Sequence, residues 1–263
     1  NVGMMGVSYL SVVQKRVAAL KPPHLKTIFA FYGSTEGYRD LFYHGGIFSH
    51  GFFSSWTRNR GPGMRIDKDL KAIMGEADYD AALASLRADR ELMSVPFLAE
   101  VINDPESGLH PLVLEVLIHS LDDDWHRDRA VDFSDDDPIP AYFGADWGMF
   151  GFHMPGDMRA FKNWRGTRRM IMGPPIYLDR PVYQYAYESL RWFDYWLKGM
   201  DNQIKDEPAV KLFIVWANEW KTAEDWPVPD TRWTPFYLHP DGYLSEHECW
   251  TDDAVSSYAD SAF

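Results

Sequence analysis

The chain has 263 residues, of which 39 are acidic and 26 are basic, so its formal net charge is −13 at pH 7. A nucleic-acid-binding surface needs clustered Lys and Arg, so this balance argues against a nucleic-acid partner. Cys249 is the single cysteine, which excludes an internal disulfide and a cysteine-based metal site. No run of about 18 apolar residues is present, so the sequence predicts no transmembrane helix and no membrane partner.

The first third of the sequence begins with a strand–helix–strand pattern. Residues 2–7 (VGMMGV) predict a buried strand, and 25–33 (LKTIFAFYG) predict a second one. Between them, residues 9–20 have apolar positions at helical spacing, with Lys15 and Arg16 on the other face. This βαβ unit predicts a parallel sheet with helices on its faces.

Residues 36–134 have a different character. A loop rich in glycine and aromatic residues is followed by helical patterns at 67–93, 94–103 and 110–119, and no good strand is visible. This indicates a helical insertion of the kind that covers a site on a sheet. A separate small helical domain is the alternative.

The sheet pattern then resumes. Strands are predicted at 139–147 and 167–175, and helices at 157–164 and 183–199. From 208 to 263 the segments alternate like antiparallel strands, which predicts the start of a β-sandwich or jelly roll.

Ser8 lies where the first strand meets the first helix. A nucleophile elbow needs this context, because the turn exposes the serine hydroxyl above the sheet beside the N-terminus of the helix. Gly6 stands two residues earlier, where a side chain would clash in so sharp a turn. The full G-x-S-x-G pattern is not met, because Leu10 holds its last place. An ordinary serine near a chain end is the other interpretation.

Several stretches, in order, resemble one family. They are GVSYL with the helix end AALKPPHLKTI, then GYRDLFYHGGI, HSLDDDWHRDRAVDF, IPAYFGADW, ESLRWFDYWLKGMDN and VWANEW. Together they resemble the cocaine esterase / X-Pro dipeptidyl-peptidase (CocE/NonD) family of α/β-hydrolases. GVSYL and LRWFDYWLKGMDN are the most specific of them.

The resemblance implies a domain plan. It places an α/β-hydrolase core at 1–35 and 135–205, a helical cap at 36–134 and part of a C-terminal jelly roll at 206–263. It also implies that the first strands of the hydrolase sheet precede Asn1 and that most of the jelly roll is missing. No signal peptide is visible, but the N-terminus is expected to be missing, so the location stays unknown, with a cytoplasmic one favoured over a secreted one.

The resemblance also implies a chemistry. Ser8 takes the place of the nucleophile, and the backbone N–H of Tyr9 takes the place of an oxyanion donor. The expected substrate is a small-molecule ester or an N-terminal X-Pro-type dipeptide amide, cleaved through an acyl-enzyme. No cofactor and no metal are implied, and a homo-oligomer is left open.

Two expected partners of the serine are displaced. The family's aspartate position is Met149 here, and Asp146 precedes the tryptophan of this strand instead. The family's histidine would fall near 175–177, where none is present, and His153 is the nearest candidate. One hypothesis is that His153 and Asp146 form a pair that replaces the family's histidine and aspartate. The alternative for His153 is a structural loop histidine, and the alternative for Asp146 is a cap of the following turn. The other hypothesis is a catalytically impaired, hydrolase-like binding or scaffold protein.

Overall fold

The computed structural model describes residues 1–60, 69–105, 111–149, 151–175, 185–240 and 242–248. The strands are β1 (Val2–Val7), β2 (Leu25–Phe31), β3 (Tyr43–His44), β4 (Ile47–Phe48), β5 (Ala141–Asp146), β6 (Arg168–Gly173), β7 (Val210–Ile214), β8 (Glu219–Ala223), β9 (Tyr237–Leu238) and β10 (Leu244–Ser245). The α-helices are α1 (Tyr9–Ala19), α2 (His50–Arg60), α3 (Leu70–Met74), α4 (Glu76–Ala88), α5 (Arg90–Ser94), α6 (Pro96–Asn103), α7 (Pro111–Ile118), α8 (Asp124–Arg127), α9 (Met154–Asn163) and α10 (Ala186–Lys198). Within the described ranges, no helix is both long enough and apolar enough to cross a membrane.

A six-stranded sheet forms the centre of the first of two compact units, Asn1–Trp226. Its order is β1-β2-β5-β6-β7-β8, with the first five strands parallel and β8 antiparallel. The predicted βαβ unit and parallel sheet are therefore confirmed. In a parallel sheet the carboxyl ends of the strands share one edge, which is where α/β folds place their chemistry.

The first compact unit extends beyond residue 206, where the jelly roll is expected to begin. Strand β7 pairs in parallel with β6, with Met170 opposite Val210, so the compact unit continues to Trp226. Strand β7 forms an antiparallel hairpin with β8, which explains the antiparallel pattern of this stretch. Its other neighbour, β6, is distant in the chain, so the local pattern does not indicate that pairing. In the second unit, Pro227–Phe263, β9 pairs with β10 in an antiparallel ladder. The jelly roll stays a prediction, and residues 249–263 lie outside the described ranges.

Helices cover both faces of the sheet. Adjacent residues of a strand point to opposite faces. Tyr142 of β5 meets Trp192 of α10, with ring centroids 5.3 Å apart. The next residue, Phe143, meets Trp164 after α9, and Lys15 of α1 lies over its ring. Helices α1 and α9 therefore share the face opposite α10.

The insertion between β2 and β5 is helical, as predicted, and has its own hydrophobic core. Helices α4, α6 and α7 supply most of this core, which includes Leu83, Leu98, Ile102 and Leu114. A short hairpin of β3 and β4 precedes the helices. The parts of predicted helices that fall at 61–68, 106–110 and 176–184 lie outside the described residues.

Helix α1 turns an unexpected face toward the sheet. Its buried residues are Ser11, Gln14, Lys15 and Ala18, whereas Leu10 is exposed. The predicted placement of Lys15 on the outer face is wrong. The inner face therefore carries two small residues, a glutamine and one paired charge instead of an apolar stripe.

Candidate active site

Ser8 occupies a strained turn between β1 and α1. Its backbone has φ 57° and ψ −125°, a conformation that L-residues rarely adopt. Its N–H donates to the Phe31 carbonyl of β2 (3.1 Å), and its own carbonyl accepts the first bonds of α1 from Ser11 and Val12. The turn is thus held from both sides, and the hydroxyl is presented at the carboxyl edge of the sheet.

Gly6 makes the sharp turn possible. A Cβ atom at this position would lie 2.7 Å from the Leu10 Cβ, well inside normal contact distance. Gln14 bridges the same elements, since its amide donates to the carbonyls of Leu10 (3.0 Å) and Gly6 (3.4 Å). The expectation that a side chain at position 6 would clash is confirmed.

Tyr9 is the first residue of α1. The first N–H groups of a helix have no intrahelical acceptor and lie at the positive end of the helix dipole. The N–H of Tyr9 is therefore next to the Ser8 hydroxyl and suited to an anion, which is the position that the sequence predicts for an oxyanion donor.

His153 lies against the serine. Its Nε2 is 3.3 Å from Ser8 Oγ, although the two residues are 145 positions apart in the chain. His153 precedes α9, with φ 71° and ψ −54°, so the histidine also has a strained backbone. The residue is only 3% exposed, and its ring lies 3.8 Å, centroid to centroid, from the ring of Phe152.

The surroundings keep His153 uncharged. Burial and, secondarily, the nearby Lys15 ammonium lower the pKa of His153 to about 3. Its Nδ1 has no hydrogen-bond partner within the described part of the chain. A neutral imidazole with Nε2 facing a hydroxyl can accept that hydroxyl's proton.

Asp146 does not join this pair. Its carboxylate is fully buried and accepts hydrogen bonds from the Tyr32 hydroxyl (2.7 Å) and the Gly148 N–H (2.8 Å). Burial and the neighbouring carboxylate raise the pKa of Tyr32, so its hydroxyl remains a donor. The expected His153–Asp146 hydrogen bond is absent among the described residues. Instead, Asp146 caps the turn after β5, which was the alternative interpretation of this residue.

The remaining displaced positions supply neither the family's aspartate nor its histidine. Met149 lies in a short 3₁₀ turn, Trp147–Met149. The family's histidine would fall near 175–177, of which 176 and 177 lie outside the described residues, and the sequence has no histidine between His153 and His239.

Sequence reasoning missed a buried ion pair beneath the serine and the histidine. Lys15 Nζ is 2.5 Å from Asp157 Oδ1, and both side chains are fully buried. Lys15 also donates to the Gly33 carbonyl, and the Gly33 N–H donates to Asp157 Oδ2 (3.1 Å). Lys15 follows Ser8 by two helical turns, and Asp157 follows His153 by one. These helical spacings from Ser8 and His153 are visible in the sequence and could have indicated the pair.

The helical insertion contacts this region through aromatic rings. Phe52 of α2 lies 4.2 Å from Phe152, ring centroid to ring centroid, and stacks on Trp56 at 6.3 Å. Phe53 instead points into the core of the insertion. An apolar surface formed by Phe52, Trp56 and Phe152 therefore continues directly from the ring of His153.

Comparisons with known proteins agree with this architecture. The sequence profile of the X-Pro dipeptidyl-peptidase (S15) family matches residues 1–176, more than half of the chain. The cocaine esterase of Rhodococcus sp. (strain MB1 Bresler) is 29% identical over 92% of this chain and 45% of its own length. A CocE/NonD family hydrolase from Staphylococcus aureus is 26% identical, with a TM-score of 0.69 over 94% of this chain and 38% of the relative.

An aminopeptidase from a marine sediment archaeon, Thaumarchaeota archaeon, shares the fold at 17% identity and a TM-score of 0.67, over 94% of this chain and 42% of its own. The chain thus spans less than half the length of the relatives it matches. The parallel sheet, the strained serine turn and the profile match lead to one conclusion. This chain belongs to the X-Pro dipeptidyl-peptidase (S15), or CocE/NonD, family of α/β-hydrolases.

Proposed function

We propose that this chain carries the catalytic centre of a serine hydrolase that cleaves an ester or an N-terminal X-Pro-type dipeptide amide. The observation that carries the proposal is the 3.3 Å approach of His153 Nε2 to Ser8 Oγ at the N-terminus of α1. The names of the relatives, an esterase and a dipeptidyl-peptidase family, support both substrate classes.

The reaction proceeds in two halves. Ser8 Oγ attacks the substrate carbonyl carbon while its proton passes to His153 Nε2, and the resulting oxyanion accepts a hydrogen bond from the Tyr9 N–H. His153 then gives its proton to the leaving alcohol or amine as the carbon–leaving-group bond breaks, which leaves an acyl group on Ser8. Water repeats the attack through the same histidine, releasing the acid and restoring the serine.

In this proposal Asp146 has a structural role and takes no part in the proton transfers. Its bonds to Tyr32 and Gly148 join the ends of β2 and β5 and order the turn that leads toward His153. No carboxylate supports Nδ1 of His153 among the described residues, so Ser8 and His153 work as a dyad. A dyad gains less stabilisation of the imidazolium than a triad does.

The insertion is assigned the acyl part of the substrate. Phe52 and Phe152 meet beside His153, and their rings favour apolar groups over charged ones. An apolar acyl group placed on this surface has its carbonyl close to Ser8 Oγ. We therefore expect apolar acyl esters to react faster than acetate esters of the same alcohol.

A fluorophosphonate probe tests the proposal, because it forms a stable bond only with an activated serine. We expect the native chain to take up one probe on Ser8, located by mass spectrometry of its peptide, and the urea-unfolded chain to take up none. Ser11→Ala is the matched control. Its buried hydroxyl has no hydrogen-bond partner among the described residues, so its loss leaves labelling intact. A folded chain that does not label contradicts the hydrolase and supports the alternative, a hydrolase-like binding protein.

The pH dependence of turnover tests the base. Protonation of His153 Nε2 removes the acceptor, so the rate falls only as the pH approaches the pKa of about 3 from above. We expect the titration of His153 itself to leave kcat/KM for an ester unchanged from about pH 5 to about pH 8, measured where circular dichroism shows a folded chain. An acid limb centred near the ordinary histidine pKa of about 6.5 contradicts a buried, neutral base if it persists in a folded variant without Asp157, because burial raises the pKa of Asp157 to about 7.

A further inference from the structure

We propose that the buried Lys15–Asp157 pair is the positioning element that holds Ser8 against His153. The inference deepens the proposed function and rests on the roles given there to Ser8 and His153. Neither charged residue touches the reacting atoms, so both are positioning residues.

The pair joins the two helices that carry the reacting side chains. Ser8 is the residue before α1, and Lys15 lies two turns into that helix, on its buried face. His153 is the residue before α9, and Asp157 lies one turn into that helix, with its N–H bonded to the His153 carbonyl (3.1 Å). A shift between α1 and α9 therefore changes the Ser8–His153 distance directly.

A third element meets the pair at the same point. The turn after β2 supplies both backbone groups of Gly33, the carbonyl to Lys15 and the N–H to Asp157. A Cβ atom on Gly33 would lie 2.3 Å from Ser11 Oγ, and one on Gly156 would lie 2.7 Å from the Ser34 Cα. Glycine at both positions lets α1, α9 and this turn approach closely enough for one cluster to connect them.

Stability alone does not account for a pair in this place. Removing two charges from water is costly, and apolar replacements of buried pairs are often neutral or stabilising. A buried pair does, however, tolerate little change in geometry, because its energy falls when either partner moves. This sensitivity to geometry allows the pair to fix the position of α1 relative to α9.

The charges around the histidine are consistent with this role. Lys15 faces His153 from α1 and opposes its protonation, while Asp157 lies on the histidine's own helix and pairs with the ammonium. Burial raises the pKa of Asp157 to about 7, with Lys15 opposing that rise and Asp40 adding to it. The pair therefore places the histidine without giving it a carboxylate partner.

The test uses the full chain and a double variant, Lys15→Met with Asp157→Asn. Methionine keeps the length of the lysine stem, and asparagine keeps an acceptor for the Gly33 N–H. The first measurement does not need turnover. In ¹⁵N-histidine-labelled protein, the shift of the His153 Nε2 signal on Ser8→Ala reports the contact between the two side chains.

We expect Ser8→Ala to move the His153 Nε2 signal in the parent but not in the double-variant background. We also expect the rate constant for probe labelling of Ser8 to fall about 100-fold in the double variant, with kcat falling and KM nearly unchanged. If a folded double variant keeps both the signal change and the parental labelling rate, the positioning role is overturned. If the double variant does not fold, Lys15→Met alone is measured at pH 6, where the Asp157 carboxyl can hold a proton. The His153 signal change and the labelling rate then decide in the same way.

Arg159→Met is the matched control. Arg159 lies on α9 two residues beyond Asp157 and pairs with buried Asp40 (2.5 Å); the polar contacts of its side chain among the described residues are with the segment after β2 and not with α1. We expect it to keep the signal change and the labelling rate. Failure of the parent to label contradicts the hydrolase proposal, and the NMR comparison then decides the positioning role separately.

Discussion

Alanine in place of Ser8 or of His153 is expected to lower kcat/KM by about 10³- to 10⁶-fold, with either change nearly as damaging as both together. The serine hydroxyl is a poor nucleophile unless Nε2 takes its proton, so the two side chains act as one unit. Steady-state hydrolysis of a chromogenic ester by the two single variants and the double variant measures this. Losses that multiply in the double variant contradict the dyad.

His126→Ala provides a matched comparison for the histidine. Like His153, His126 is almost fully buried and has an Nδ1 without a hydrogen-bond partner in the described chain, but its Nε2 binds the His119 carbonyl. We expect that variant to lose stability but to retain kcat. Added imidazole is expected to restore part of the activity of His153→Ala, since it can fill the space left by the ring, and to have no effect on Ser8→Ala.

Replacing Asp157 by leucine is expected to lower the free energy of unfolding by about 3–5 kcal/mol. The change leaves the Lys15 ammonium buried, with only the Gly33 carbonyl as its remaining partner in the cluster. It also leaves the Gly33 N–H without its acceptor. Urea denaturation at neutral pH, followed by tryptophan fluorescence, measures the loss. A variant as stable as the parent contradicts a tightly packed pair.

Lys15→Met is expected to be milder, and its cost depends on pH. The remaining carboxyl can take a proton, because burial already raises the pKa of Asp157 above its unfolded value. The folded state then binds a proton that the unfolded state lacks, so stability is present at low pH and is lost as the pH rises through the folded pKa. The deficit relative to the parent should be smaller at pH 5 than at pH 8, and the opposite trend contradicts this account.

Local elements were well predicted from the sequence. Strand β1, helix α1 and strand β2 follow from apolar runs and a helical period within 31 residues. Gly199 ends α10 in the left-handed conformation, which glycine adopts without steric cost, so this helix end also depends on local chemistry. These features depend on neighbours in the chain, which is why they could be read there.

Orientation and long-range pairing were predicted less well. In the sequence, the apolar residues of α1 recur at helical spacing and predict an apolar buried face. The buried face instead carries Lys15, because Asp157 supplies a counter-charge from far along the chain. Strand β7 has the alternation of an antiparallel strand, but it extends the parallel sheet. In both cases a distant partner outweighs the local pattern.

The sequence by itself determined that Ser8 stands on a strand–turn–helix elbow, with Gly6 and the N-terminus of α1 around it. Only the tertiary structure decided its partner: His153 meets the hydroxyl, and Asp146 caps a turn instead of meeting the histidine. The physical reason is that an elbow is built by contiguous residues, whereas a nucleophile–base contact depends on how α1 and α9 pack against one sheet. A fully buried ion pair joins those two helices, so the alignment of serine and histidine is a property of the folded core.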